Sequence, residues 1–292
     1  ETSMLKAIEW RTVSGFLFLS LGPLWHVLDG IDSSPVSLGL LATAVPVVIV
    51  AIIFKASGIP FRRTLTLLSL PVGFWISLVF AFNGSDESSF FVSGVAAAVA
   101  GGLLLLCGYQ KEASYKHSVA SVVSITISAL IIILAPLILV HIVLNEGRLS
   151  AYWHPVEWVM ILSLIVGLML LQSKSQDRIL RLQFASCYGT ILTTGMAIIW
   201  SVHLYDEYWL QKTRLNDISD SLPVYIDVQL LSLLPLLFAV GFYSVIVLIS
   251  IAKNKTEDLM LKNWHLSEAY IFLTFMIIAP QSIYETIAGA AG

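Results

Sequence analysis

The sequence predicts an all-α polytopic membrane protein with about nine transmembrane helices and a cytoplasmic N-terminus. Its composition is the first reason, because 57% of the 292 residues are hydrophobic and only 12% are charged, whereas soluble domains carry roughly 25% charged residues. The second reason is that nine apolar runs are long enough to cross a bilayer. The third is an uneven distribution of cations between the two faces that these runs would create.

Each apolar run has about the 20 residues that a helix needs to cross the roughly 30 Å hydrocarbon core. Lipid offers no hydrogen-bond partner to open backbone groups, so each run is expected to be an α-helix. Only short polar connectors separate the runs, so residues 1–292 are expected to form a single transmembrane domain. The nine runs are Thr12–Leu28, Val36–Phe54, Thr64–Phe82, Phe90–Tyr109, Ser118–Leu144, Trp153–Leu171, Leu182–His203, Val224–Ile251 and Ser267–Ala288.

The cations fix the orientation of these runs. When the connectors are assigned alternately to two faces, 13 of the 16 Lys and Arg residues fall on the face of the N-terminus. Cytoplasmic loops carry such an excess, so this face is predicted to be cytoplasmic. We expect a multi-pass protein of the bacterial inner (plasma) membrane, with the lipid bilayer as its first partner. The net charge of -3 leaves no basic surplus for nucleic acid.

The middle sections of the runs contain hydroxyl groups and almost no ionisable residues. Pumps and ion-coupled carriers usually keep a buried charged residue on their pathway, so its absence favours a passive path. Ser124 and Ser128 in the fifth run, with Thr193 and Thr194 in the seventh, would suit the lining for an anion or a neutral solute. The alternative is that these hydroxyls bond to their own backbone or hold neighbouring helices together.

Prolines interrupt the odd-numbered runs. Pro23, Pro71, Pro136 and Pro280 lie in runs one, three, five and nine, and Gly189 and Gly195 loosen run seven. The even-numbered runs have fewer breaks, at Pro46 and Pro235. A proline frees a backbone carbonyl and kinks its helix, and broken backbone is tolerated where protein or a water-filled cavity covers it. The pattern favours an inner ring of odd-numbered helices around a cavity. The alternative is that proline is simply frequent in membrane helices.

Two stretches resemble a known transporter family. The segment 19–26, which reads Leu-Ser-Leu-Gly-Pro-Leu-Trp-His, and the segment 170–184, which precedes a Gly/Thr-rich helix, are similar to parts of the tellurite-resistance/dicarboxylate transporter family. That family includes TehA and the plant slow anion channels. The resemblance covers about a third of the chain and implies a pore lined by odd-numbered helices and gated by a phenylalanine. Phe272 and Phe275 are the candidates for this gate, although this chain has nine runs where the family has ten.

We therefore expect a passive channel or facilitated transporter for small anions or related solutes, with no cofactor and no enzymatic activity. A metal- or haem-binding subunit of a membrane redox enzyme is the alternative, because histidines with nearby carboxylates gather at the predicted outer face. Imidazole and carboxylate suit zinc or copper, and a histidine pair suits haem, although such residues also anchor helix ends at the interface. The sequence also leaves open a structural subunit of a larger membrane complex and a homo-oligomer. The candidate ligands are His26, His141, His154, His203, Asp29, Glu157 and Asp206.

Overall fold

The computed structural model describes residues 35–83, 122–144, 155–172, 177–204 and 233–273, and all the regular structure in these residues is α-helical. The prediction of an all-α chain is confirmed for this part of the chain. The helices are α1 (Pro35–Ala56), α2 (Phe61–Asn83), α3 (Val122–Leu144), α4 (Pro155–Leu170), α5 (Arg178–Leu204), α6 (Leu234–Ala252) and α7 (259–273).

Most predicted runs coincide with these helices. α1 to α5 agree with runs two, three, five, six and seven to within four residues at each end. The start of run eight differs, because α6 begins at Leu234 and has Pro235 in its first turn. Proline is well tolerated there, since the first turn of a helix needs no backbone amide donor. Runs Thr12–Leu28 and Phe90–Tyr109 lie outside the described residues.

The predicted start of the last run at Ser267 was wrong. α7 already begins at residue 259, and its buried side chains recur at helical spacing from the first turn onwards. Hydropathy missed residues 259–266 because Lys262 and His265 lie between the buried positions and lower the mean hydropathy of this segment. The buried positions are Leu259, Asn263, Leu266, Tyr270 and Leu273.

Together with α2, α6 is the most enclosed of the described helices. It contacts α2, α3, α4 and α5, while α1 packs on α2 and α3, and α4 packs on α5. Fifteen of the nineteen residues of α6 are buried, and the other four, Pro235, Phe242, Val245 and Ile249, are half-buried along one face. An even-numbered run therefore lies at the centre of the described bundle.

Two stretches of the described helices are long and apolar enough to cross a membrane, judged by length and composition. They are Arg178–Ile199 within α5 and Leu234–Ala252, which is the whole of α6. Half of the first stretch is buried inside the protein, compared with 78% of the second. Shorter apolar segments occur in α1, α2, α3 and α4.

Two helices end in the same capping geometry. At the end of α1, Gly58 takes a φ of 85°, and the amides of Gly58 and Ile59 donate to the carbonyls of Lys55 and Phe54 at 2.9 and 2.8 Å. At the end of α6, Asn254 takes a φ of 53°, and the amides of Asn254 and Lys255 donate to the carbonyls of Ile251 and Ser250 at 3.0 and 2.8 Å. This left-handed Schellman cap reverses the chain sharply and satisfies the last carbonyls. It directs α1 into α2 and α6 into α7.

Candidate functional site

Polar side chains collect where α2, α5, α6 and α7 meet, at the end of the bundle that carries the turn 57–60 and the loop 253–258. We call this the loop end. Side chains from α2 and from the start of α5 bond to the loop 253–258, and Ser57 donates to Ser124 Oγ of α3 at 3.1 Å. The group that we call the loop-end cluster consists of Arg63, Asp177, Gln183, Asn254, Lys255 and Thr256.

Arg63 joins α2 to this loop through neutral oxygen atoms. Its Nη1 donates to Asn254 Oδ1 at 2.9 Å, and its Nη2 donates to Thr256 Oγ1. The cap at the end of α6 positions the Asn254 acceptor, because the left-handed backbone turns this residue back towards α2. Arg63 is half-buried, and neither of these two partners carries a charge. Its positive charge is therefore not cancelled by the groups that hold it.

Gln183 and Asp177 connect α5 to the same loop. Gln183 is fully buried, and its Nε2 donates to the backbone carbonyl of Lys255. Lys255 Nζ lies 3.3 Å from Asp177 Oδ2, while Asp177 Oδ1 accepts the amide of Ile179 at 2.8 Å and so caps the N-terminus of α5. The bond from the Ile179 amide, and secondly Lys255, hold the pKa of Asp177 below its usual range. Burial acts in the opposite direction and is outweighed.

The lowered pKa of Asp177 predicts an acid-dependent loss of stability. A depressed pKa means that the charged form stabilises the folded state above the usual carboxyl range and that this contribution disappears below about pH 4. Asp177→Asn keeps an oxygen that accepts a bond but loses the charge. We expect this variant to have a lower melting temperature than the parent at pH 7, with the gap closing towards pH 3. Glu257→Gln, which removes an exposed carboxylate from the loop 253–258, is the control. A difference in melting temperature between Asp177→Asn and the parent that stays constant with pH would contradict the prediction.

Deeper in the bundle, a second polar group surrounds the proline of α2. Pro71 has no amide hydrogen, so it frees the carbonyl of Leu67, four residues earlier. Asn263 of α7 supplies the missing donor, because its Nδ2 lies 3.0 Å from Leu67 O. Asn263 Oδ1 in turn accepts the hydroxyl of Tyr243 of α6 at 2.7 Å. We call Leu67 O, Asn263 and Tyr243 the Pro71 bridge; both side chains in it are fully buried.

α5 adjoins the Pro71 bridge through Cys187. Its thiol donates to the carbonyl of Lys262 at 3.5 Å, one residue before Asn263. The predicted runs three, seven and nine correspond to α2, α5 and α7. These three helices therefore converge with α6 on one buried group of polar atoms. The break in α2 is covered by protein, which is one of the two conditions under which broken backbone is tolerated at membrane depth.

No family model, curated protein or solved structure matches the chain. The similarity to the tellurite-resistance/dicarboxylate transporter family stays a prediction. The functional argument therefore depends on the residues themselves.

The hydroxyls proposed as pore lining are all placed by the structure. Thr193 Oγ1 donates to the carbonyls of Gly189 and Thr190 at 3.0 and 2.8 Å, and Thr194 Oγ1 donates to Thr190 O at 2.8 Å. Both side chains are buried, and both hydroxyls bond to the backbone of their own helix. This is the role that the alternative to a pore lining gives them. Ser124 joins α3 to the turn after α1. Ser128 is fully buried, and its Oγ has no hydrogen-bond partner among the described residues.

The remaining pore candidates are placed only in part. Pro71 is buried in α2, and Phe272 is 56% exposed on α7. Pro136 lies within α3, but its side chain is not described. Pro23 and Phe275 lie outside the described residues.

The predicted metal ligands are not tested by the described residues. His141, Glu157 and His203 lie in α3, α4 and α5 without described side chains, and the other four candidates lie outside the described ranges. Within the described side chains, no group of three His, Cys, Asp or Glu residues gathers closely enough to hold a metal ion. Haem, zinc and copper stay predictions of the alternative function.

Sequence reasoning missed two features that the structure brings out. The Pro71 bridge was invisible because Leu67 and Asn263 are 196 residues apart along the chain. The second feature is a histidine followed three residues later by a carboxylate at His265 and Glu268, the same spacing that singled out His26, His154 and His203. His265 Nδ1 lies 3.3 Å from Glu268 Oε2. That spacing signal was available, but His265 was assigned to the connector before the last run, whereas Glu268 fell within the run Ser267–Ala288.

Proposed function

We propose that this chain is a multi-pass membrane protein, with its loop end on the cytoplasmic side, that gives small anions or related solutes a facilitated path. The exposed face of α3 supports the membrane setting. Its apolar side chains follow helical spacing over residues 123–138, and each is more than 40% exposed. Soluble monomers rarely show a continuous apolar patch of such extent. The residues are Val123, Ile127, Leu130, Leu134 and Ile138.

α4 and α5 also expose apolar side chains. α4 exposes Val159, Leu162, Val166 and Leu170, and α5 exposes Leu192, Met196 and Ile199. Apolar side chains that face outward with no charge between them are suited to hydrocarbon rather than to water. Among the described side chains, the charged groups instead gather at the loop end, apart from His265 and Glu268.

The anionic nature of the solute rests on a single observation, the environment of Arg63. Its guanidinium is half-buried at the loop end and is held by the neutral oxygens of Asn254 and Thr256. A fixed positive charge at the mouth of a low-dielectric region concentrates anions and raises their rate of entry. Beyond it lie the uncharged hydrogen-bonding groups of Gln183, Asn263 and Tyr243.

Uncharged groups suit a path that must release its solute. A bare anion in hydrocarbon costs tens of kcal/mol by Born estimates, so a path must offer water or hydrogen-bond donors. Conduction also requires each site to bind weakly enough for the ion to leave. The amides of Asn263 and Gln183 each have a second N–H besides the one that bonds to a backbone carbonyl, and with one cation at the entrance these donors meet both requirements.

Substitution of Arg63 tests this proposal. A unit charge about 8 Å from an ion contributes about 2 kcal/mol at an effective dielectric constant of 20, before screening by salt. We therefore expect Arg63→Gln to lower chloride uptake by reconstituted vesicles roughly fivefold to tenfold. Arg63→Lys, which keeps the charge, should retain most of the uptake.

The matched control is Arg178→Gln, which removes an exposed cation at the start of α5 on the same end of the bundle. We expect this control to transport at nearly the parental rate. An equal fall in both variants would show that only the general surface charge matters. Absence of chloride and nitrate flux in the parent would contradict the proposed function itself.

A further inference from the structure

The end of α4 and the first turns of α5 hold three buried polar atoms that have no hydrogen-bond partner among the described residues. Gln172 contributes both polar atoms of its amide, Oε1 and Nε2, and Arg181 contributes the Nε of its guanidinium. Two of these atoms are donors and one is an acceptor. Buried polar atoms in native proteins are nearly always satisfied, so each exception needs a physical reason.

Gln172 and Arg181 lie on the faces that α4 and α5 turn towards each other. A Cβ atom at Gly189 of α5 would lie 3.7 Å from Leu168 Cδ1 of α4, so the two helices touch at this level. Arg181, Ala185 and Gly189 follow one another at four-residue spacing, which places them along one side of α5. Gln172 comes one turn after Leu168. Along the helix axes, Arg181 and Gln172 are about 12 and 6 Å from this contact, both towards the loop end.

The charge of Arg181 has no counter-charge among the described side chains. Arg181 is half-buried, and the carboxylate one turn earlier, Asp177, is engaged with Lys255 and with the amide of Ile179. Residues 173–176, which join the two helices, add a lysine and no acid to the sequence at this point. An anion with oxygen acceptors is therefore the group that complements this position.

Apolar side chains are exposed beside these polar atoms. Leu170 and Leu171 directly precede Gln172 and are 79% and 84% exposed. Phe184, one turn after Arg181, is also exposed. The surface therefore combines a cation and an amide with side chains suited to hydrocarbon. Basic pockets between membrane helices on the cytoplasmic side bind anionic lipid headgroups in this way.

From this placement we infer that the end of the α4–α5 pair binds an anionic phospholipid whose headgroup carries a hydroxyl, such as phosphatidylglycerol. The inference rests on the membrane setting of the proposed function and does not depend on the anion path. The phosphate oxygens accept from Arg181 Nε and Gln172 Nε2, and the headgroup hydroxyl donates to Gln172 Oε1. The planar guanidinium suits phosphate in geometry as well as in charge. The acyl chains lie against Leu170, Leu171 and Phe184.

Thermal unfolding in an uncharged detergent with added lipid tests the inference. We expect phosphatidylglycerol to raise the melting temperature of the parent by roughly 5 °C, because a ligand that binds only the folded state stabilises it. Phosphatidylmethanol has the same charge and no headgroup hydroxyl, so the concentration needed for half of the rise should be roughly threefold to tenfold higher. Phosphatidylcholine and inorganic phosphate should leave the melting temperature unchanged.

Three variants separate this site from the general charge of the loop end. Arg181→Gln should raise the concentration of phosphatidylglycerol needed for half of the rise about tenfold or more, because it removes a charged donor. Gln172→Leu serves as a second variant in case Arg181→Gln does not fold, and it should abolish the difference between phosphatidylglycerol and phosphatidylmethanol. Arg178→Gln is the matched control, since it removes an exposed arginine three residues away on the same helix. This control should respond like the parent.

Four results would overturn the inference. They are no rise with phosphatidylglycerol, an equal rise with phosphatidylcholine or inorganic phosphate, equal half-rise concentrations for phosphatidylglycerol and phosphatidylmethanol in the parent, and equal losses in Arg178→Gln and Arg181→Gln. The measurement does not involve transport. Absence of chloride flux would therefore contradict the proposed function alone, and absence of a lipid response would contradict this inference alone.

Discussion

Gly241→Leu should lower the stability of the folded bundle by roughly 2–3 kcal/mol, because the site has no room for a side chain. A Cβ atom at Gly241 would lie 3.1 and 3.2 Å from Cζ3 and Cε3 of Trp75, which is closer than ordinary contact. Trp75 is buried in α2, and Gly241 lies in the enclosed helix α6. Small residues at such crossings let membrane helices approach closely. A larger residue at position 241 would force α2 and α6 apart.

Gly195→Leu is the matched control for this prediction. Gly195 also lies within a helix, but a Cβ there would meet nothing within 4 Å. Its replacement should leave the melting temperature in detergent near the parental value or raise it slightly, since glycine inside a helix costs about 1 kcal/mol relative to alanine. Equal melting temperatures for Gly241→Leu and Gly195→Leu would contradict the packing argument.

The enclosed position of α6 could not have been read from its composition. α3 and α6 are both almost entirely apolar, yet α3 exposes a full face and α6 has no exposed residue. Hydropathy cannot separate the two cases, because lipid chains are as apolar as a leucine-rich protein surface. The sequence therefore predicted that these segments are helices and did not predict which of them is central.

The start of α7 was mispredicted for a related reason. A run of high hydropathy identifies the part of a helix that hydrocarbon can surround, whereas the first turns of α7 bury only one face. The spacing of Leu259, Asn263 and Leu266 carries the signal of that face. Periodicity, rather than mean hydropathy, would have placed His265 on the same helix as Glu268, which the predicted run already contained.

Asn263→Ala should destabilise the protein by roughly 2–4 kcal/mol, because it leaves two buried polar groups without partners. Tyr243 loses the acceptor of its hydroxyl, and Leu67 loses the only donor described for a carbonyl that already lacks its helical partner. The sequence did predict a freed carbonyl at Pro71. It gave no information about the group that would satisfy it, because that contact depends on how α7 packs against α2.

A double-mutant cycle separates the Pro71 bridge from general packing. Pro71→Ala restores an amide that can donate to Leu67 O within α2, so Asn263 should lose one of its two roles in that background. We expect Asn263→Ala to cost about 1–2 kcal/mol less in Pro71→Ala than in the parent, measured by thermal unfolding in detergent. Pro46→Ala is the control, because it repairs a proline break in α1, where Asn263 has no described contact. Distant, independent substitutions add to within about 0.5 kcal/mol, so Asn263→Ala should cost the same with or without Pro46→Ala. Full additivity with Pro71→Ala would show that the Asn263 amide does not replace the missing proline donor.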